Sequence, residues 1–277
     1  MKMNKYIVIG LVSLTLISLE LVWTRIFSAE YFYTFAFLIL SLAILGLGLG
    51  SLMHRFFNGL GQEKNIGNIL SIAGLFSLTG PWLVFHLGMD FSLLFAEVSM
   101  ALKLLVIILL LSAPYFFGGI AIAYYFRSDT PDMPRMYMSD MVGAGLGVAF
   151  AIFFMHNSGT PYTAFLSTLP LLIAAFMVSK NYWKIIPVIL AAYMLVLGNF
   201  SSDLLEADWE EPAPVIYKHW DAMSKIKIYK YHEYYRGINI DNHASTTVVK
   251  FDGNFDSPDM KRFDFFGINI GHLVRKF

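Results

Sequence analysis

The chain has 277 residues, of which 57% are hydrophobic and 14% charged, and its formal net charge is zero. Soluble domains carry about 25% charged residues, so this composition excludes an ordinary soluble globular protein. The neutral balance gives no basic footprint, and we expect no nucleic-acid partner. Cysteine is absent, which excludes disulfides, thiolate metal sites and a cysteine nucleophile. We therefore expect a multi-pass membrane protein whose main partner is the lipid bilayer.

Charge is distributed unevenly along the chain. Eighteen of the 40 charged residues lie in residues 1–200, and 22 lie in residues 201–277. A charged side chain at the bilayer centre costs about 2.5–3.5 kcal/mol on insertion scales, so the first part suits lipid and the second suits water. The sequence predicts a transmembrane helix bundle over residues 1–200, a linker over 201–224, and the β-hairpin start of a further domain over 225–277.

Seven apolar segments meet or approach the roughly 20 residues that a spanning helix needs. They are residues 6–23, 33–52, 69–87, 104–126, 141–155, 162–178 and 183–197. The first resembles a signal peptide, but no small-residue cleavage pattern ends it, and we interpret it as a retained helix. Residues 90–103 have apolar side chains at helical spacing, which predicts an interfacial helix or part of an eighth span. The expected fold class is mainly α, a polytopic bundle of seven or eight spans followed by a short β-hairpin region.

Lysine and arginine in the short loops predict the orientation of the bundle. With seven spans, the N-terminal side collects Lys2, Lys5, Arg55, Lys64, Arg127, Arg135, Lys180 and Lys184, whereas the opposite side collects Arg25 and Lys103. This bias predicts a cytoplasmic N-terminus in the inner (cell) membrane. An odd number of spans then places the tail outside, and an eighth span would return it to the cytoplasm.

The tail changes from helical to extended patterning. Residues 225–231, 237–241 and 245–253 combine β-branched or aromatic residues with polar turns, which predicts three short antiparallel strands. Residues 263–277 predict a helix that leads out of the hairpins. Three short strands make a poor independent core, so we expect the tail to be the beginning of a larger domain.

The ionisable residue Glu20 lies near the end of the predicted first span, and Arg25 follows five positions further on, near the expected interface. An ionisable group inside a span usually faces the bundle interior and has a partner. Two hypotheses follow. Glu20 is either a ligand or proton site, or an interfacial carboxylate that pairs with Arg25 or another helix and fixes the depth of the span.

Glycines within two predicted spans are interpreted as helix-packing positions. Small residues four apart allow two helices to approach closely. A nucleotide-binding interpretation fails because no strand precedes either glycine run. The packing positions are Gly46, Gly50, Gly143 and Gly147.

Two polar residues precede the predicted fifth span. Ser139 and Asp140 suit its N-cap, where a carboxylate favours the helix dipole; Asp140 could instead pair with Arg127 or Arg135. The seven histidines show no i, i+4 pair of the kind that a helical zinc site needs, so no metal site is predicted.

Four stretches, in order along the chain, resemble one known group. They are ELVWTRIFS (20–28), FAFLILSLAILGLGLGSL (35–52), YMSDMVGAGLG (137–147) and INIDNHASTTVVKFDG (238–253). Together they resemble the bacterial multi-pass membrane proteins that carry a C-terminal spermidine-synthase-like domain, related to aminopropyltransferases and S-adenosylmethionine-dependent methyltransferases.

The resemblance implies a membrane bundle, a small β-hairpin region and then a Rossmann-like domain that binds S-adenosylmethionine or its decarboxylated form. In true aminopropyltransferases the hairpin region carries an L-x-L-D-G strand end with a glutamine shortly after. Here the matching stretch is residues 238–242 (INIDN), and Ser245 stands at the glutamine position. The glycine-rich loop, the ribose-binding acidic residue and the catalytic aspartate would follow the hairpins. We therefore expect no catalytic or cofactor-binding residue, and no cofactor, in this chain; a separate or downstream Rossmann-like domain is the implied partner.

Three hypotheses of function follow. The first is a membrane protein of the spermidine-synthase-like group, connected with polyamine biosynthesis, whose transferase domain is incomplete here and which performs no catalysis alone. The second is a small transporter or channel-like bundle with Glu20 on its path. The third is a membrane scaffold that binds a partner through the edge strands of the tail.

Overall fold

The computed structural model describes residues 2–56, 62–89, 93–94, 96–128, 130–208, 210–231, 233 and 235–249. Within them lie seven helices that are long and apolar enough to cross a membrane, and a four-stranded antiparallel sheet near the C-terminal end. The predicted fold class, mainly α with a short β region, is confirmed. The chain divides into two compact units, Met1–Trp209 with Trp220–Ser224, and Glu210–His219 with Lys225–Phe277.

Each predicted apolar run is exceeded at one end or both by the helix, or pair of helices, that forms there. Their bounds are α1 Lys2–Glu30, α2 Phe35–Phe56, α3 Glu63–His86, α4 Val98–Ser128, α5 Met133–Ser158, α6 Thr160–Leu166, α7 Leu169–Val178, α8 Ile185–Asn199 and α9 Ser201–Leu204. Backbone hydrogen bonding continues through the polar residues that flank each apolar run, so an apolar window gives the centre of a helix and not its ends.

The sixth span consists of two helices, α6 and α7. The break lies at Ser167 and Thr168, where the Thr168 N–H donates to the carbonyl of Phe165 at 3.0 Å. Pro170 stands in the first turn of α7, where its missing N–H costs no helical hydrogen bond. The sequence places Pro170 inside a continuous span; in the structure it begins a new helix.

The interpretation of Ser139 and Asp140 as an N-cap is wrong. Helix α5 begins at Met133, so both residues lie within it. Pro134 in the first turn supplies the start signal instead. The Asp140 carboxylate accepts a hydrogen bond from the Ser13 hydroxyl of α1, and it therefore joins two helices.

The segment before α4 contains no separate α-helix among its described residues. Leu93 has 3-10 helical conformation, Leu94 and Ala96 lie in turns, and α4 begins at Val98, so residues 98–103 belong to the fourth span. Lys103 donates to the carbonyl of Gly88 at 2.9 Å and ties this end of α4 to the end of α3. Positions 90–92 and 95 of the predicted interfacial segment lie outside the described residues.

The sheet has the strand order β1-β2-β3-β4, with β1 Val215–Trp220, β2 Lys225–Tyr229, β3 Tyr235–Ile240 and β4 Ala244–Val249. Ile226 pairs with Ile240, and Asn239 pairs with Ser245, in antiparallel register. Three of these strands agree with the sequence prediction, which extends the last one to residue 253, beyond the described part. Strand β1 lies in the predicted linker, although its VIYKHW sequence is rich in β-branched and aromatic residues. The predicted helix over residues 263–277 lies outside the described residues.

The β3–β4 turn is closed by Asp241 and Asn242, both with positive φ (55° and 58°). Two consecutive left-handed residues are the requirement of a type I′ hairpin turn, which Asp and Asn tolerate. Asp241 also holds the neighbouring strand, because its carboxylate accepts from the Lys225 N–H at 2.8 Å and its own N–H donates to the Lys225 carbonyl at 2.9 Å. Asp241, the residue that the resemblance compares with a strand-end aspartate, therefore links strand β2 to the β3–β4 turn.

The buried face of strand β2 carries two lysines. Lys225 and Lys227 are buried together with Tyr229, whereas the alternating isoleucines are partly exposed. The Lys227 ammonium pairs with the Glu211 carboxylate, which also accepts from the Tyr229 hydroxyl at 2.5 Å. Burial, followed by the hydrogen bond to Glu211, raises the pKa of Tyr229.

Candidate functional site

Helices α2 and α4 approach closely at two glycines of α2. A Cβ at Gly46 would lie 2.6 Å from the Ser112 carbonyl oxygen, and one at Gly50 would overlap the Phe116 carbonyl. Gly48, between them, faces open space, with nothing within 4 Å of a Cβ placed there. The two glycines thus form the contact face, and they position α4 without supplying chemistry.

Helices α1 and α5 meet in the same way. A Cβ at Gly143 would overlap the backbone of Gly10, and one at Gly147 would lie 2.6 Å from the Leu14 carbonyl oxygen. The Ser18 hydroxyl donates to the Gly147 carbonyl at 2.9 Å, which adds a polar bond between the two helices. Backbone proximity of this kind is a main source of helix association in lipid.

Glu20 lies near the middle of the first span and not near its end. The span runs over Lys5–Glu30, so at 1.5 Å per residue Glu20 is about 15 Å from its C-terminal end. The side chain is half-buried. Among the described residues it has no hydrogen-bond or ion-pair partner. A carboxyl group without a partner at this depth is costly, which marks the position for a function.

Two buried polar aromatic side chains lie on the same side of α1 as Glu20. Trp23, one turn further along α1, makes an edge contact with Tyr115 of α4, with 5.9 Å between ring centroids. Both are at most 1% exposed, and within the described part of the chain neither the Trp23 indole N–H nor the Tyr115 hydroxyl has a hydrogen-bond partner. Glu20 and Trp23 are three residues apart on α1 and so are neighbours on one helix face, and we treat Glu20, Trp23 and Tyr115 together as one polar cluster.

Arg25 is directed to a different place. Its guanidinium carbon lies 5.9 Å from the centroid of the Trp220 ring, a cation–π distance. The next residue, Asp221, offers its carbonyl to the Thr160 hydroxyl at 2.7 Å. The turn over residues 220–224 is thereby held at the ends of α1 and α6.

The segment after α9 is held at the same end of the bundle. Glu30, the last residue of α1, is fully buried and accepts from the Ala207 N–H at 3.1 Å. Residues leaving the last span therefore meet the C-terminal end of α1, as an odd number of spans requires. Sequence reasoning missed this role because the partner is 177 positions away.

The opposite end of the bundle carries a cluster of charges. Asp132, in the turn before α5, accepts from the Lys5 ammonium at 2.7 Å and from the Tyr6 hydroxyl at 2.8 Å, and Arg135 lies 3.8 Å away. The hydrogen bonds from Lys5 and Tyr6 hold the pKa of Asp132 below its usual value of 3.8. This cluster places the N-terminus and the α4–α5 turn on one side, in agreement with the loop-charge pattern.

The Asp132→Asn variant tests this cluster by pH. Because the pKa of Asp132 is lower in the folded protein than in the unfolded chain, its ionised form contributes stability at pH values above 3.8. That contribution disappears as the pH falls below 3.8 toward the folded value. We expect the wild type to melt at a higher temperature than Asp132→Asn at pH 6, and the difference to shrink steadily as the pH falls below 3.8. A difference that is constant across this range would contradict the ionic role.

The described residues contain no group of three or more His, Asp or Glu side chains that could hold a metal ion. The polar cluster of Glu20, Trp23 and Tyr115 is thus the candidate site.

The seven long apolar helices give the chain multi-pass transmembrane helix character. Comparisons with protein families, with curated proteins and with solved structures give no match. The functional conclusion therefore depends on the residues and their arrangement.

Proposed function

We propose that this chain is an integral membrane protein of the spermidine-synthase-like group, acting as a membrane-anchored scaffold and not as a transferase by itself. The observation that supports the proposal is the order of its parts, a seven-span bundle followed by an antiparallel β-meander. Asp241, at the position that matches the strand-end aspartate, closes that meander. S-adenosyl chemistry would require a Rossmann-like domain attached to this sheet, on a further segment or a separate chain.

The predicted orientation of the bundle in the membrane favours a scaffold over S-adenosyl chemistry. Loop charges favour a cytoplasmic N-terminus in the inner membrane. The contact between Glu30 and Ala207 supports an exit of the chain from the last span at the end of the bundle opposite Lys5 and Asp132. S-adenosyl compounds are made in the cytoplasm, so a tail outside the cell membrane would carry the family's architecture without access to that cofactor.

Reporter fusions and ligand binding test the proposal together. We expect alkaline phosphatase fused after residue 249 to be active outside the cytoplasm, and fluorescent protein fused at the N-terminus to be fluorescent inside. Calorimetry of the purified 277-residue protein is expected to show no binding of S-adenosylmethionine. A cytoplasmic tail together with cofactor binding would contradict the scaffold and favour a complete aminopropyltransferase.

A second function, a solute or proton path through the bundle, is favoured by the polar cluster. Glu20, Trp23 and Tyr115 offer an acceptor and two donors within hydrocarbon, and partners for them are lacking among the described residues. Polar groups at membrane depth that lack protein partners mark pathways for ions or polar solutes.

The Glu20→Gln variant tests the path. If Glu20 carries a proton or binds a cation, the substitution removes its charge at nearly constant volume, and flux of protons, alkali cations or organic ammonium ions into proteoliposomes falls at least tenfold. Tyr115→Phe is expected to reduce the same flux by less. Ser51→Ala, a change on the exposed surface of α2, serves as the control. Equal flux in wild type and Glu20→Gln would exclude the path.

A further inference from the structure

A groove of about 480 Å³ lies between α1 and α5. Its floor is made by Gly10 and Gly143, whose backbones touch and which contribute no side chains. Its walls are apolar and partly exposed: Ile7 is 46% exposed on α1, and Val142 and Leu146 are 52% and 55% exposed on α5. A concave apolar surface with a glycine floor fits a slender apolar chain.

The length of the groove matches one leaflet. From Arg135 at one end to Leu146 at the other, α5 rises about 16 Å at 1.5 Å per residue. Half of the hydrocarbon core measures about 15 Å. One acyl chain can therefore lie along the groove with its glycerol end beside Arg135.

The end beside Arg135 is polar and cationic. Tyr6 and Ser139 line the groove there, and the Arg135 side chain is 77% exposed. The neighbouring carboxylate of Asp132 lies 3.8 Å from Arg135 but is held at 2.7 Å by the Lys5 ammonium, so the three charges sum to +1. The charge-complementary occupant is an anionic headgroup, which guanidinium binds by paired hydrogen bonds.

We propose that the α1–α5 groove is a binding site for one anionic phospholipid, with an acyl chain over Gly10 and Gly143 and the headgroup phosphate on Arg135. This site is independent of the proposed scaffold function, because it needs only that the bundle lies in a bilayer. Basic pockets between spanning helices on the cytoplasmic side recognise anionic lipids in this way.

Native mass spectrometry of the full chain, exchanged into detergent with equal amounts of phosphatidylglycerol and phosphatidylcholine of the same acyl chains, tests the site. We expect wild type to retain one lipid and to prefer phosphatidylglycerol about fivefold, the effect of one basic side chain near the membrane surface. Arg135→Gln should bring the preference close to one. Val142→Trp, which fills the groove, should reduce retention of both lipids.

Two matched controls make the result specific. Lys64→Gln removes an exposed cation on the same side of the membrane, and Ile152→Trp enlarges an exposed α5 residue outside the groove; both should behave as wild type. The site is overturned if wild type shows no headgroup preference, if Lys64→Gln lowers the preference as much as Arg135→Gln, or if Val142→Trp retains lipid like Ile152→Trp. A lipid-free dimer as the main wild-type species would also overturn it, since a second copy would then cover this face.

Discussion

Replacing Gly143 with leucine is expected to prevent α1 and α5 from packing. The new Cβ would overlap the backbone of Gly10, and a backbone cannot move aside as a flexible side chain can. The two helices must separate, which breaks the hydrogen bond from Ser18 to the Gly147 carbonyl and the bond from Ser13 to Asp140. Overpacking of a well-packed site costs about 1–3 kcal/mol and occasionally more, and we expect the upper part of that range.

Gly145→Leu is the matched control. Gly145 lies two residues away on the same helix, and a Cβ placed there has nothing within 4 Å. Both variants lose a glycine and gain the same side chain, so helix propensity changes equally. Thermal unfolding in detergent, followed by size-exclusion chromatography of the heated samples, should show a large fall for Gly143→Leu and almost none for Gly145→Leu. Similar melting temperatures for the two variants would contradict the close contact.

These glycines show how much of the bundle the sequence predicts. The spacing of Gly143 and Gly147, like that of Gly46 and Gly50, predicts one small face on each helix, because the repeat of four matches the helical period. The spacing of the glycines does not indicate which other helix packs against that face. That α5 packs on α1, and α4 on α2, is determined by the whole set of side chains and appears only in the structure.

Polar pairs within the bundle are harder to predict from the sequence than the glycine contacts. Asp140 bonds to Ser13, and Asp132 bonds to Lys5, each across 127 positions of the chain. A carboxylate that precedes an apolar run has the local signature of an N-cap, so the sequence favours the wrong assignment for Asp140. Apolar windows likewise end the first span at residue 23, which placed Glu20 near the surface; the helix continues to Glu30 and puts Glu20 at depth.

The candidate site was therefore half predictable. Glu20 is visible in the sequence as a charged residue within an apolar run. Its neighbours Trp23 and Tyr115 are aromatic residues among many in the spans, and their polar atoms become meaningful only when burial leaves them without partners in the described structure. Signals of this kind depend on three-dimensional packing.

The sheet shows a second limit of patterning. Strand β2 alternates lysine with isoleucine, and period-two alternation alone does not say which face is buried. In the structure the lysine face is buried, because Glu211 provides a carboxylate for Lys227 and the Tyr229 hydroxyl together. Glu211 precedes β1 in what the sequence describes as a linker, so its role could not be inferred from the strand.

The Glu211→Gln variant is expected to destabilise the sheet through this pair. It leaves the Lys227 ammonium, whose side chain is 2% exposed, without its carboxylate. Removing one partner of a buried ion pair costs about 3–5 kcal/mol, and the 34% exposure of Glu211 reduces the expected loss to about 2 kcal/mol. Hydrogen exchange of the intact protein, read in peptides covering residues 225–240, should show faster exchange in the variant while α1 and α5 are unchanged.

A double-mutant cycle distinguishes the ion pair from simple loss of packing. Lys227→Met removes the charge and keeps the length of the aliphatic chain, so Lys227→Met with Glu211→Gln removes both charges of the pair. If the pair stabilises the sheet by charge, amide hydrogens of the sheet exchange more slowly in the double variant than in Glu211→Gln alone. The reason is that the double variant no longer buries a lysine charge that has lost its carboxylate. Additive effects of the two substitutions would mean that Lys227 and Glu211 stabilise the sheet independently of each other.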